Sequence, residues 1–351
     1  MPANPFTLSF GMEPLQYISR FSQTDEIVST FTSESPSTMV YMISGVRGSG
    51  KTVMLSSLSE HFEKEKTWIV VNVAPETDIL LAIAARLYSI NELKKLFVTA
   101  KLDLSAFGLG IAIEGGHQIF DIGAALEQML IHINKRGKRV LILIDEVVSN
   151  QYVKIFASEF QLLIRKKLPV FLLMTGLYNN IYNLQNEDTL TFLYRAPKIM
   201  LEPLSIGAIS RSYEDVLKVD KETALYMAKL TKGYPFAYQV LGYLYWQNIC
   251  YKKKKMNVDD LLDEYDNILE DYVYEKVWSE LSDKEKAIIG FIARKEPAKV
   301  ADVRETLSIS SGNMSVYRDR LVKKGIIDVS RYGYISLSLP RFGEIISVWL
   351  D

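Results

Sequence analysis

Met39–Thr52 reads MVYMISGVRGSGKT. An apolar run passes directly into GVRGSGKT, which is G-x-x-x-x-G-K-[ST]. The residues that follow, VMLSSLSEHF, place Val53, Leu55, Leu58 and Phe62 near helical spacing. Strand, glycine loop and helix in that order are the setting in which such a loop binds phosphate. Gly45, Gly48 and Gly50, with Val46, Arg47 and Ser49 between them, let the backbone turn so that N–H groups converge on phosphate oxygens. The start of the following helix adds its partial positive charge. Lys51 is placed to reach the β- and γ-phosphates of a nucleotide, and the Thr52 hydroxyl to hold Mg²⁺.

Residues 139–148, RVLILIDEVV, form a continuous apolar run ending in two carboxylates. That pattern fits a central parallel strand buried on both faces. Asp145 at its end is the candidate for the Mg²⁺ shell. Glu146, facing the other way, is the candidate for polarising an attacking water. A further strand, TWIVVNVA over 67–74, lies between the two motifs. This spacing predicts the additional-strand class of P-loop ATPases, in which the strands carrying the two motifs are not sheet neighbours.

At 351 residues the chain has room for two or three domains and a large core. Its 48% apolar content excludes a disordered chain, and a net charge of −1 excludes polyanion binding by bulk charge. A single cysteine, Cys250, permits no intrachain disulfide and fits a reducing cytoplasm. His61, His117 and His132 show no metal-ligand spacing with one another or with Cys250. MPANPFTLSF lacks the charged and apolar regions of a secretory signal. No apolar run approaches the roughly 18 residues of a membrane helix.

Outward from the two motifs, residues 1–21 read as extended. Ser22 with Asp25 reads as a capping box opening a helix to about Phe31. Helices are expected over about 78–96, 122–135 and 153–166, and strands over 169–176 and 196–201. Alternating apolar residues over 101–116 suggest a β-hairpin or extended insertion. Strands alternating with helices from 39 to 203 predict an α/β parallel sheet covered on both faces. From Ser205 to about Trp278 the pattern is helical, and Lys252–Lys255 reads as a solvated helix C-terminus. From Leu281 three helices are expected: SDKEKAIIGFIARK, with Ala287, Ile288, Phe291 and Ile292 inward, then KVADVRETL and SGNMSVYRDRLVKKG. The period then switches at Gly325 to a hairpin turning near Arg331–Gly333, the signature of a winged helix-turn-helix. The expected division is a P-loop core over 1–203, a helical lid over 204–280 and a winged helix over 281–351.

FGMEPLQYISR, GVRGSGKT, LILIDEV, LLMTGL, FLYRAPKIMLEPLS and KGYPFAYQVLG together resemble AAA+ ATPases related to archaeal replication initiators and to signal-transducing STAND NTPases. The resemblance runs from about Phe10 to the end of the chain. It implies a Mg²⁺-dependent ATPase that binds ATP and ADP. It implies that Pro14, Tyr17, Ile18 and Arg20 pack on the adenine, and that Gly233 and Pro235 of the lid touch base or ribose. It also implies that Thr175, ending the fourth strand, senses the γ-phosphate, although replication initiators usually carry Asn there. Arg195, before the fifth strand, would complete the site of a neighbouring subunit in a homo-oligomer; the plainer reading is a surface ion pair.

Gly312–Arg341 holds Arg318, Arg320, Lys323, Lys324, Arg331 and Arg341 against Asp319 and Asp328, six minus two, an excess of four. In a winged helix that reads duplex DNA, the third helix enters the major groove and the wing meets backbone. Ser311, Asn313, Ser315, Tyr317 and Arg318 are the groove-facing candidates, with Arg331 and Tyr332 at the wing tip. The function so read is a nucleotide switch acting on a DNA-binding winged helix. The alternative is a STAND-like signalling NTPase whose winged helix contacts protein.

Overall fold

The computed structural model of the chain describes residues 3–9, 14–110, 112–114, 116–187 and 190–350. Phe10–Glu13 of FGMEPLQYISR and Ile111 and Gly115 of the 101–116 segment lie outside the described residues. The chain divides into two compact units, one formed by residues 20–44 and 51–200, the other by 1–19, 45–50 and 201–351. Among the described residues no helix is long and apolar enough to cross a membrane.

The first unit runs α1 (Phe21–Thr32), β1 (Val40–Ser44), α2 (Lys51–Glu63), β2 (Trp68–Val73), α3 (Ile79–Ser89), α4 (Asn91–Thr99), β3 (Leu102–Asp103), β4 (His117–Gln118) and α5 (Ile122–Asn134). It continues with β5 (Arg139–Ile144), α6 (Gln151–Arg165), β6 (Val170–Gly176), α7 (Tyr178–Gln185), α8 (Thr191–Tyr194) and β7 (Lys198–Met200). Five strands form a parallel sheet in the order β2-β5-β6-β1-β7. β6 separates β1 from β5, as the spacing of the two motifs predicts. Ile43 pairs with Thr175 on one side of it, and Ile144 with Met174 on the other. β1 and β6 are buried along their whole length, which is why they read as unbroken apolar runs. On one face Ile69, Ile142, Leu172 and their neighbours pack under α3, α5 and α6. On the other, Trp68 and Phe171 pack with Phe31 of α1 and Phe62 of α2 at ring separations of 4.5–4.9 Å.

Three local expectations fail here. α1 begins at Phe21 with Arg20 as its N-cap, so Ser22 lies in the first turn and caps nothing. The helix expected over 78–96 is two helices, because Ile90 leaves the helical region at φ −75°, ψ 114°. The 101–116 segment is not a hairpin. β3 pairs in parallel with β4, and the intervening chain turns through left-handed Gly108 and Gly110. Buried Asp103 organises that turn by accepting from the Ser105 and Ile113 N–H groups.

The second unit is mainly helical. α9 (Ile206–Leu217), α10 (Lys221–Leu230), α11 (Pro235–Tyr245), α12 (Leu262–Leu269) and α13 (Glu275–Ser279) surround buried Tyr213, Tyr238, Tyr265 and Tyr274. Then come α14 (Asp283–Arg294), β8 (Ala298–Lys299), α15 (Val300–Thr306), α16 (Ser311–Lys323), β9 (Ile327–Asp328), β10 (Tyr334–Leu337) and α17 (Phe342–Leu350). The antiparallel β9–β10 hairpin, with β8 on its other edge, follows three helices in the order expected of a winged helix-turn-helix. The expected capping box at Ser282 is present, with Glu285 as its reciprocal partner. The inward face of α14 is shifted from expectation: Ala287 is exposed and Ile289 is buried, because the helix also packs against α17, where Leu350 approaches Gly290.

Candidate functional site

In the first unit Lys51 opens α2 and is buried, and Thr52 follows it. Asp145 stands just past the end of β5. The Thr52 hydroxyl donates to Asp145 Oδ2 across 2.8 Å, and the Thr175 hydroxyl, fully buried at the end of β6, donates to Oδ1. The adjacency of β5 and β6 makes this possible, because it brings the ends of both strands to one edge. The Glu146 N–H donates to Thr175 Oγ1 at 3.1 Å and to Asp145 Oδ1 at 3.0 Å, and the Val147 N–H reaches the Thr175 carbonyl at 2.7 Å. These bonds hold Glu146 in the left-handed region, at φ 51°. That conformation costs a non-glycine residue about 1 kcal/mol. Its effect is to turn Asp145 toward the threonines and leave the Glu146 carboxylate exposed. Sequence reading did not foresee the left-handed turn or the Thr175–Asp145 bond, since both depend on β6 lying beside β5.

The loop Gly45–Gly50 belongs to the second unit. It turns through a Ser49 N–H to Val46 carbonyl bond of 3.1 Å, with Gly48 at φ 70° and Gly50 at φ 88°. The Tyr234 hydroxyl donates to the Arg47 carbonyl, and the Phe236 N–H donates to the Gly48 carbonyl at 3.2 Å. A Cβ on Gly48 would lie 2.3 Å from the Tyr234 oxygen, so glycine is required there by space as well as by φ. Arg47 pairs with Glu280 at 3.0 Å, and Val46 lies against Gly325.

Gly233 and Pro235 shape the segment that reaches this loop. Gly233 sits at φ 78°, and its carbonyl accepts from the Leu204 N–H at 2.7 Å, an approach a side chain would block. Pro235 is the first residue of α11, where its missing N–H costs nothing. The residues that touch the loop are Tyr234 and Phe236, which sequence reading passed over; two aromatics flanking the proline were the available signal. Tyr234 is almost fully buried, and burial raises its hydroxyl far above the ordinary tyrosine range, so it stays a neutral donor.

The other candidates are more dispersed. Pro14 is buried, Tyr17 is exposed, and Ile18 packs partly against the core of the second unit. Between them Gln16 is held by Ser212 and Gln239. Arg20 falls in the first unit as the N-cap of α1. Arg195 is exposed just after α8. On α16, Ser311, Asn313, Ser315 and Arg318 are exposed and Tyr317 is half-buried. At the hairpin tip Tyr332 is wholly exposed, and the Arg331 guanidinium lies 4.0 Å over the Tyr334 ring. The basic excess of this region is smaller than the sequence count. Lys324 is bound to buried Glu285, and Arg341 is held by both oxygens of Asp266, two acids outside that window.

A hydroxyl and a carboxylate 2.8 Å apart form a hard-oxygen donor pair suited to Mg²⁺ shared with a phosphate. Among the described residues no group of three His, Cys, Asp or Glu side chains could hold a metal by itself.

Comparison with known proteins gives a similar fold. The Aeropyrum pernix ORC2 protein, in a structure with ADPNP and ADP, is 14% identical over 97% of this chain and 96% of its own, with a TM-score of 0.59. The ADP form of that protein gives 13% identity over the same shares, with a TM-score of 0.51. A STAND protein with a tetratricopeptide repeat sensor from Pyrococcus horikoshii is 16% identical over 97% of this chain and 44% of its own, with a TM-score of 0.42. A family model described as a domain of unknown function (DUF8462) matches residues 271–346. No curated protein matches the chain. The chain thus shares the α/β fold of the ORC2 protein.

Proposed function

We propose that the chain is a Mg²⁺-dependent ATPase that works as a switch, coupling its nucleotide state to a C-terminal winged helix that binds duplex DNA. The observation that carries the reading is Asp145 held between the hydroxyls of Thr52 and Thr175, with Glu146 turned outward beside them. Lys51 and the loop amides of 45–50 bind the phosphates of ATP or ADP, with the loop's glycines allowing close approach. Mg²⁺, when bound by Thr52 and Asp145, neutralises charge on the phosphate oxygens. Glu146 orients and polarises the attacking water, and Thr175 reports on the γ-phosphate through the carboxylate it already contacts. Pro14, Tyr17, Ile18 and Arg20 are the adenine-side residues in this reading.

The division into a core over 1–203, a lid over 204–280 and a winged helix over 281–351 belongs to the same proposal, as do a cytoplasmic setting and homo-oligomerisation through the Arg195 edge. The coupling is supported within the second unit. Lys232, next to Gly233, donates to the Leu337 carbonyl of β10 at 3.0 Å, and Arg47 of the phosphate loop pairs with Glu280 just before α14. The DNA reading is supported by the exposure of Asn313, Ser315, Arg318, Arg331 and Tyr332 on the helix and hairpin tip. Titrating labelled duplex DNA with the protein in ATP, ADP or no nucleotide tests the whole switch. Binding that weakens steeply with salt and differs between nucleotide states supports it. Absence of duplex binding at low salt in all three states favours a signalling switch whose C-terminal region contacts protein.

A further inference from the structure

We propose that Tyr234 is a positioning residue for the phosphate loop, acting on the carbonyl side of the Arg47–Gly48 peptide, whose N–H is offered to phosphate. The inference rests on the nucleotide reading above and adds a residue that the sequence motifs do not mark.

A phosphate loop works by presenting peptide N–H groups, and each peptide has a carbonyl at its other end. The Tyr234 hydroxyl donates to the carbonyl of Arg47, the peptide whose N–H belongs to Gly48. The Phe236 N–H donates to the carbonyl of Gly48, the peptide whose N–H belongs to Ser49. A hydrogen bond to a carbonyl oxygen draws electron density through the amide and makes its N–H a stronger donor. Two consecutive loop peptides are therefore fixed from behind: the Gly48 N–H is polarised as a donor, and the Ser49 N–H is held in its turn bond to the Val46 carbonyl.

The surroundings are built around this contact. Tyr234 is 4% exposed, and its ring stacks near Tyr274 at 6.4 Å. Gly48 lacks the side chain that would displace the Tyr234 oxygen. The segment is anchored by the two residues that precede Tyr234. Gly233 is bound to Leu204, and Lys232 is bound to the Leu337 carbonyl and to Glu296. The tyrosine hydroxyl thus reaches the loop from a rigid base, so little ordering cost accompanies nucleotide binding.

The test compares Tyr234→Phe with wild type in two measurements: calorimetric titration with MgADP, and hydrogen exchange of the apo protein. Removing one buried hydroxyl should weaken MgADP about tenfold, the scale of one lost hydrogen bond behind the loop. Turnover at saturating ATP should change far less than the KM. Exchange should quicken at the Gly48 and Ser49 amides and stay unchanged at Val240 and Leu241 in α11, which a merely structural defect would also disturb. Placing 3-fluorotyrosine at position 234 makes the hydroxyl a stronger donor with no loss of packing, and should tighten MgADP; this variant carries the test if Tyr234→Phe does not fold. Unchanged affinity and loop exchange in a nucleotide-binding protein would overturn the role of Tyr234 and leave the nucleotide site standing. Absence of MgADP binding by wild type would overturn both.

Discussion

Thr175 and Asp145 are joined by a direct hydroxyl–carboxylate hydrogen bond across neighbouring strand ends, and the remaining Asp145 oxygen accepts from Thr52. The bond ties the residue expected to sense the γ-phosphate to the one expected to hold Mg²⁺. It also explains the left-handed backbone at Glu146. With Asp145 drawn toward the threonines, the chain must reverse at the next residue to return its N–H groups to β6.

Glu146→Gln should retain nucleotide binding and lose turnover. The amide fills the same space but cannot accept a proton from water, and general-base catalysis is worth about 10²–10⁴-fold. The Glu146 N–H bonds that fix the turn involve backbone and survive the change. Steady-state hydrolysis equal to wild type would assign the base to another group.

Arg195 lies exposed after α8, beside the edge strand β7. If it completes a neighbour's site, Arg195→Ala should bind ATP normally yet hydrolyse it roughly 10³-fold more slowly. Mixing that variant with Lys51→Ala should restore activity, since one subunit supplies the arginine and the other the intact pocket. Failure of recovery at every ratio, with wild-type turnover independent of protein concentration, would make Arg195 a surface residue only.

Arg318 on the helix and Arg331 at the hairpin tip are exposed cations that the internal ion pairs do not include. Loss of either should flatten the log–log salt dependence of duplex binding by about one unit, with nucleotide affinity unchanged. Unaltered slopes in both variants would place the DNA contact elsewhere.

Glu285 joins α14 to α16 through Lys324 at 2.9 Å while accepting from the Ser282 N–H. Burial works to raise its pKa, but the Ser282 N–H and the Lys324 ammonium outweigh that and hold it below the ordinary glutamate value. A lowered folded pKa means stability that is fully present above the unfolded value, about 4.3, and lost as pH falls through the folded one. Glu285→Gln should therefore cost about 2 kcal/mol near neutral pH, because it leaves a half-buried ammonium with a weaker partner. Thermal denaturation as a function of pH checks this: the gap between variant and wild type should close in acid, and a pH-independent gap would refute the ionic origin.

What the sequence revealed were features encoded in consecutive residues. β1, β5 and β6 are buried on both faces, so their apolar runs stood out, and the strand at 67–74 was enough to predict that the motif strands are not sheet neighbours. Gly325 and the change of period marked the C-terminal hairpin. The features missed depend on partners far along the chain or on elements too short to show a period. β3 and β4 are two-residue strands, so the alternation over 101–116 had no hairpin behind it. Ser22 has the chemistry of a cap, but the helix starts one residue earlier. Tyr234 and Phe236 acquire their role only when residues 45–50 and 233–236 meet. The count of basic residues at 312–341 likewise overlooked Glu285 and Asp266, which lie outside that window.

In the proposed function GVRGSGKT binds the phosphates of a nucleotide, with Lys51 as its cation. Calorimetric titration of MgADP into wild type and into folded Lys51→Ala tests it most directly. One site per chain in wild type, with affinity lost in the variant because the loop's cation is gone, is the predicted result. Equal affinity in the two proteins, or no binding by wild type, would contradict it.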